Sequence, residues 1–374
     1  MTLHVFNPEH DIALASGLSN FTAPHAARQL RYDLGFLPAL WAAEDDLVLV
    51  DDVEHALKCY QRLARAVRRH HIPPLPVTTP RFVSAGKRDG LSGETSLTAV
   101  DPWGWDTALS AKLRRGGVGA CLLPTSEQLA AVRELSHRHT AARLLPLLCL
   151  PGTVGEAFEC HDISAVEHLL TLYPRLVLKA PWSSSGRGLR FVDASTMQSP
   201  HAVQLRGWLT NILSTQGSVM AEPYYPKVCD FGMEFYSNAD DTVSYCGLSL
   251  FHTANGAYTG NLLATEQAKR QSLSRYVSTD LLDAVQAEIC RYLPGILAGS
   301  YCGPLGIDMM IVSPLPPSSP LPLYSFLLHP CVEINLRRTM GHVALALVPT
   351  DDDIRRVMRI HFIQNNYYLK IEQL

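Results

Sequence analysis

No stretch of this sequence stays apolar for the eighteen or so residues that a membrane-crossing helix needs, so no such span is expected. No C-x-x-C pair occurs among its nine cysteines, an odd number scattered along the chain, which fits reduced thiols better than a disulfide framework. His70 and His71, or His137 and His139, lack cysteine or histidine partners at zinc-site spacing, so a zinc site is not expected. The opening Met1-Thr-Leu-His-Val-Phe6 has neither the charged start nor the apolar core of a signal peptide. Together these absences make a cytoplasmic protein the expectation. A formal net charge of −3 gives no global reason to bind nucleic acid or an anionic membrane, and neither is expected as a partner. The phosphate loop G-x-x-x-x-G-K-[ST] is missing. Gly186-x-Gly188 runs on to Phe191 where the third glycine of a dinucleotide fingerprint would stand.

With 374 residues, 47% of them hydrophobic, the chain can bury a sizeable core and fill two or three domains. The first third alternates short apolar runs (Leu3 to Phe6, Leu47 to Val50) with a helix over Glu54 to His70, which predicts an open α/β domain with a parallel sheet. On that helix Leu57, Tyr60, Ala64 and Val67 form the expected buried stripe. Arg62, Arg65, Arg68 and Arg69 form a solvated face. Asn7-Pro-Glu-His-Asp11 follows the first strand, where open α/β sheets place ligands. Read plainly, it is a turn in which Asp11 caps the helix from Ile12 onward. The role of Pro102-Trp-Gly-Trp-Asp106 stays open at this level. Pro124-Thr-Ser-Glu reads as the capped start of a helix carrying Leu129, Val132 and Leu135, and a domain boundary is expected near residue 125. Strands follow at Leu176 to Pro181, Ser218 to Ala221, Met233 to Ser237 and Thr242 to Phe251. A helix after Thr279 should bury Leu281, Leu282, Val285, Ile289 and Leu293.

The chemistry concentrates late in the chain. Gly306-Ile-Asp308-Met-Met-Ile-Val and Val332-Glu-Ile-Asn335-Leu-Arg337-Arg338 read as neighbouring strands separated by a proline-rich interruption from Ser313, since proline cannot donate to a ladder. Glu333 and Asn335 are two apart and share a strand face, with Met309, Ile311, Val332 and Ile334 on the other. Asp308, Glu333 and Asn335 are the hard oxygen donors that Mg²⁺ prefers, and Arg337 could neutralise phosphate. Upstream, Lys179 lies in an apolar strand and needs an anion or carboxylate, because a lone buried ammonium is costly. The Ser183 to Gly188 loop after it offers hydroxyls and open N–H groups to a polyphosphate.

In order, Leu135-Ser-His-Arg138, the Lys179 strand with its glycine-bearing loop, Glu222-Pro-Tyr-Tyr225, Asp230 to Glu234, Ile307-Asp308-Met and Glu333-Ile-Asn335-Leu-Arg337 resemble the ATP-grasp family of ligases. The resemblance covers about residues 135 to 345 and implies an α+β ATP-grasp fold, two α+β subdomains clasping ATP, preceded by an α/β domain. It implies an N-terminal domain over 1–125 and an ATP-grasp domain over 126–374, with a lid at about 150–221 and a metal-binding part at about 222–374. Arg138, where a lysine is usual, and Lys179 would bind phosphates under a cover of Ser184, Ser185 and Gly186. Glu222, the Pro223 carbonyl and the Tyr225 N–H would read adenine, and Asp230 or Glu234 the ribose. Asp308, Glu333 and Asn335 would hold Mg²⁺ (or Mn²⁺), and Arg337 would act on the transferring phosphoryl group with Lys179. Gly306 stands where D-alanine-type ligases carry an arginine, which leaves Arg337, Arg338 or His342 for that charge. Tyr258 and Asn261, in a polar glycine-bearing turn from Ala254, would lie near the phosphates or second substrate, or the stretch is a plain hairpin or connecting loop. The implied activity is ATP- and Mg-dependent joining of a small carboxylate to an amine, with a metabolite kinase or a non-catalytic nucleotide-binding module as alternatives. A homodimer is the default assembly.

Overall fold

The computed structural model describes residues 1–73, 80–84, 97–183, 188–198, 202–254, 257–313 and 326–374. Among them stand four sheets of four strands each. The first is wholly parallel, in the order β3-β2-β1-β4, built from β1 (Thr2–Val5), β2 (Leu47–Val50), β3 (Arg81–Ser84) and β4 (Ala99–Pro102). The Leu-Val-Leu-Val of β2 is buried throughout, as a strand covered on both faces requires. Around it lie α1 (His10–Ser16), α2 (His25–Leu34), α3 (Val53–Arg69) and α4 (Thr107–Arg115). Asp52 starts α3 by accepting from the His55 N–H. The helix buries Ala56, Cys59, Tyr60, Leu63 and Val67, so its apolar face is turned from the expected one: Leu57 is exposed and Ala64 only half-buried. The four arginines stay exposed, and Arg62 covers the Tyr368 ring at 4.8 Å.

Two helices lead into the second sheet. In α5 (Ser126–Leu135) Thr125 and Gln128 form a reciprocal capping box, and α6 (His139–Leu144) follows. The sheet is antiparallel, ordered β5-β8-β6-β7, from β5 (Phe158–Cys160), β6 (Arg175–Lys179), β7 (Leu189–Asp193) and β8 (Val219–Pro223). Its own core comes from α7 (Ile163–Leu172) and α9 (Ala202–Gln216), with α8 (Ala194–Gln198) between them.

A third, antiparallel sheet, β10-β9-β13-β14, joins β9 (Lys227–Ser237), β10 (Val243–Ser249), β13 (Gly303–Val312) and β14 (Leu327–Asn335). One face takes α11 (Thr279–Leu297), whose Leu282, Val285, Ile289 and Leu293 are fully buried, each contributing roughly 1.5–3 kcal/mol by transfer from water. Leu281 is only partly buried. The fourth sheet, β11-β12-β15-β16, comprises β11 (Phe251–Ala254), β12 (Ala257–Leu263), β15 (Arg356–Ile363) and β16 (Asn366–Gln373), near α10 (Glu266–Leu273) and α12 (Met340–Leu345). Leu34, Leu63 and Val67 share one core with Val343, Met358, Leu369 and Ile371, so the two ends of the chain are packed together.

One expectation for β14 is corrected. Between the Asp308–Glu333 and Met310–His329 pairs the register slips, so β14 spends three residues where β13 spends one. The bulge around Pro330 turns Cys331 into the core beside Ile334, and Val332 is left half-buried outside it. The proline-rich interruption at 314–325 lies outside the described residues.

Candidate active site

The face of the third sheet opposite α11 is set by its register. Asp308 stands between Gly232 and Glu333, and the neighbouring row is Glu234, Gly306 and Asn335. On the other side come Asp230, Met310 and His329. Paired residues share a face, so four carboxylates and an amide oxygen converge there. Gly306 makes this packing feasible: a Cβ at that position would lie 2.5 Å from Glu234 Oε2 and 2.7 Å from Thr339 Cγ2. No arginine fits there. Burial first, then the Glu333 and Glu234 charges, push the Asp308 carboxyl well above the usual range. Burial likewise raises Glu333, against the pull of Arg138.

Three cations ring these carboxylates, each already paired. Arg138, buried at the start of α6, sends Nη2 to Glu333 Oε1 at 2.8 Å and to Ser183 Oγ at 3.3 Å, and Nε to the Ala180 carbonyl at 3.0 Å. Lys179, at the end of β6, meets Glu222 Oε2 at 2.6 Å, which answers its need for an anion. Arg337 forms a two-pronged pair with Asp11, Nε–Oδ1 at 2.8 Å and Nη2–Oδ2 at 2.9 Å, and Nη2 also reaches Asn335 Oδ1 at 2.8 Å. Burial would raise the Asp11 carboxyl, but the Arg337 guanidinium outweighs it and holds it low. Asp11 is therefore no helix cap: Glu9 occupies the cap position and makes no side-chain cap bond. Arg338 turns away to Asp101 at 2.7 Å and lies over the Trp41 ring at 4.5 Å.

Glu222 and Pro223 end β8, and Tyr225 beyond them is buried with Val312, Leu327, Val154 and Met310 in a small apolar cluster. Glu234 is committed to Thr339 Oγ1 at 2.8 Å and His342 Nδ1 at 3.0 Å. Asp230 instead accepts from Lys227 and Thr253, both at 2.5 Å, nearer the solvent. Asn261 is not in a turn. It lies on β12, fully buried, donating to Ser249 Oγ at 2.8 Å and accepting from Tyr258 at 2.5 Å, so its amide is taken up by internal partners. Asn255, Gly256 and the expected phosphate cover Ser184, Ser185 and Gly186 lie outside the described residues. A crevice of about 20 Å³ remains between Glu333, Asn335 and Ser183 on one side and His10 and Asp11 on the other. The set can present hard oxygen donors to a divalent cation and several cationic side chains to an anion beside it.

No family model matches this chain. The biotin carboxylase domain of Hydrogenobacter thermophilus 2-oxoglutarate carboxylase superposes with a TM-score of 0.50 at 12% identity, over 96% of this chain and 74% of that one. Rhizobium etli pyruvate carboxylase gives 0.50 at 13%, over 96% of this chain and 31% of that one. The fold is ATP-grasp. A curated relative, the [butirosin acyl-carrier protein]–L-glutamate ligase of Niallia circulans, is 25% identical over 244 residues, covering 63% of this chain. The chain spans about half the length of that relative (50%).

Within this ATP-grasp fold the sequence does not reveal His329. It is fully buried on the carboxylate face, edge-on to Tyr225 at 5.6 Å, with both ring nitrogens unpartnered. Burial and nearby Lys179 lower it to about 3. His137, His139 and Glu159 offer ligand atoms within 4.8 Å of one another. The His137 Nδ1 lone pair, however, accepts from the His139 N–H at 3.0 Å, which puts the ring proton on Nε2 toward Ser218 at 3.2 Å and leaves no lone pair for a metal.

Proposed function

We propose that this protein is an ATP- and Mg²⁺-dependent ligase that activates a small carboxylate as an acylphosphate for attack by an amine. The observation that carries this reading is the row of Asp308, Glu333 and Asn335 facing Arg138, Lys179 and Arg337. Its donor chemistry fits Mg²⁺: oxygen ligands only, and an Asp308 carboxyl that burial and like charge keep from ionising until a cation neutralises it. Bound there by Asp308, Glu333 and Asn335, the cation would offset the charge of the β- and γ-phosphates.

The rest belongs to the chain's own groups. Arg138 and Lys179 exchange Glu333 and Glu222 for phosphate oxygens, which frees Glu222 to accept from the adenine amino group over the apolar cluster of Tyr225, Val312 and Leu327. The Pro223 carbonyl and Tyr225 N–H complete the purine edge. Asp230, nearer the solvent, suits the ribose better than Glu234, which is buried and held through Oε2 by Thr339 and His342. Arg337 orients and neutralises the transferring phosphoryl group. The second sheet, within a lid of about residues 150–221, excludes water from the acylphosphate. The glutamate ligase relative supports an amino acid among the substrates.

The test is product analysis with Mg-ATP and pooled amino acids, peptides and polyamines. Ligation releases ADP and free phosphate only when both carboxylate and amine are present, whereas a kinase leaves the phosphate on its acceptor. The Asp308→Asn/Glu333→Gln variant is expected to lose at least about 100-fold in turnover, by the scale of removing transition-state charge stabilisation. Normal ATP turnover by that variant would overturn the assignment.

A further inference from the structure

The order β3-β2-β1-β4 reverses between β1 and β4, and in open α/β sheets ligands bind in the crevice at the carboxyl ends of the strands where the order reverses. Asn7 and Asp106, just past those two strands, are locked there: Asn7 Nδ2 donates to the Gly104 carbonyl at 2.8 Å and to Asp106 at 3.1 Å. Beside them opens a cavity of about 210 Å³, the volume of about seven liquid water molecules. Its charge is one-sided. Arg28 and Arg31 from one face of α2, and Lys112 and Arg115 from one face of α4, line it against the carboxylates of Glu9 and Asp106, an excess of two positive charges. Arg31 is paired with Glu9 and with Asp51 at 3.1 Å. Arg28, Lys112 and Arg115 have no ion-pair partner among the described residues. Burial, reinforced by Arg31, depresses the half-buried Lys112 ammonium against the pull of Asp51 and Glu9. A second, independent sign of a ligand is Glu9, about nine-tenths buried, whose Oε2 has no hydrogen-bond partner although Oε1 is held by Arg31.

We propose that this pocket holds the non-reacting end of the small substrate, an anionic group on Arg28, Lys112 and Arg115 with a neighbouring ammonium or hydroxyl donating to Glu9. The proposal rests on the ligase reading for its connection to chemistry. Glu9 lines the pocket, while His10 and Asp11, next in the chain, line the crevice beside Glu333, Asn335 and the Arg337 partner. The proposal places the reacting carboxylate of the same molecule beyond this turn, beside the phosphoryl-transfer groups. The anion could be a second carboxylate or a phosphate monoester; both meet the same cations.

Calorimetric titration of the full chain with L-glutamate, glutarate, O-phosphoserine and inorganic phosphate separates these. L-Glutamate or O-phosphoserine is expected to bind saturably, and which of them binds tighter names the anion. Lys112→Gln and the exposed-site variant Arg115→Gln should each weaken it about tenfold, the worth of a charge-assisted contact. Glu9→Gln should weaken L-glutamate about tenfold relative to glutarate, which has no ammonium and meets one negative charge fewer in the variant. Thermal unfolding of each variant verifies that it is folded. No saturable binding by any of the four probes, or affinities unmoved by both cation variants, overturns the proposal. Mg-ATP binding, titrated separately, reports on the ligase reading: its loss with anion binding intact would sink that reading and not this pocket.

Discussion

Arg138 illustrates what an arginine does at the start of α6 that a lysine would not. Its Nε and Nη2 reach the Ala180 carbonyl, Glu333 and Ser183, three acceptors diverging as the guanidinium fork does. A lysine has one nitrogen to offer them, so Arg138→Lys is expected to cost about 1–3 kcal/mol in chemical denaturation, leaving a buried acceptor unsatisfied. Asp308→Asn should act in the opposite sense. It replaces a carboxyl that must take up a proton to be buried beside Glu333 and Glu234, so without Mg²⁺ the unfolding free energy and the midpoint should rise, the former by on the order of 1 kcal/mol, while turnover collapses. A midpoint that fell would count against a costly burial of the Asp308 carboxyl on this face. At this scale the sequence is a good guide for Glu333 and Asn335, because alternation puts residues two apart on one side of a strand. It is silent on the Asp11–Arg337 pair, whose members are 326 positions apart and meet only because two sheets pack together.

At the scale of elements, β13 and β14 are legible as strands from their apolar alternation, but the bulge at Pro330 is not. An inserted stretch changes which of Cys331 and Val332 is buried without altering composition. The apolar face of α3 is misread for a related reason: β16 covers a flank that hydrophobic periodicity alone does not assign. Gly306 gives the sharpest element-level test. Gly306→Ala sets a methyl against Glu234 and Thr339 in the middle of β13, and overpacking of this kind typically costs about 1–3 kcal/mol. Equilibrium denaturation measures it, and a neutral substitution would mean that Glu234 can move aside freely.

Across the whole molecule, the first sheet is tied to the loop after β14 by a chain of charges. Arg338 bonds Asp101 at 2.7 Å, Asp101 bonds His4 Nδ1 at 2.9 Å, and His4 Nε2 meets Asp46 at 3.1 Å. Burial would lower His4, but its hydrogen bonds to Asp101 and Asp46 outweigh this and raise it above 6.5. Because the folded value exceeds the unfolded one, the protonated imidazole stabilises fully below the unfolded value and loses this contribution as pH climbs through the folded one. The stability gap between the parent protein and His4→Gln should therefore be wider at about pH 5.5 than at about pH 9. Urea titrations at both values measure it, and an equal gap would remove the charge from the account. No helix among the described residues is long and apolar enough to cross a membrane, as the sequence leads one to expect.

The common core of α2, α3 and the final hairpin carries a consequence for synthesis. Leu34, Leu63 and Val67 find their covering partners Met358, Leu369 and Ile371 some three hundred residues later. On the ribosome, α2 and α3 must wait with part of their apolar sides uncovered until β15 and β16 emerge. These two helices are then sealed long after they are made, and until that moment they offer a chaperone an apolar surface.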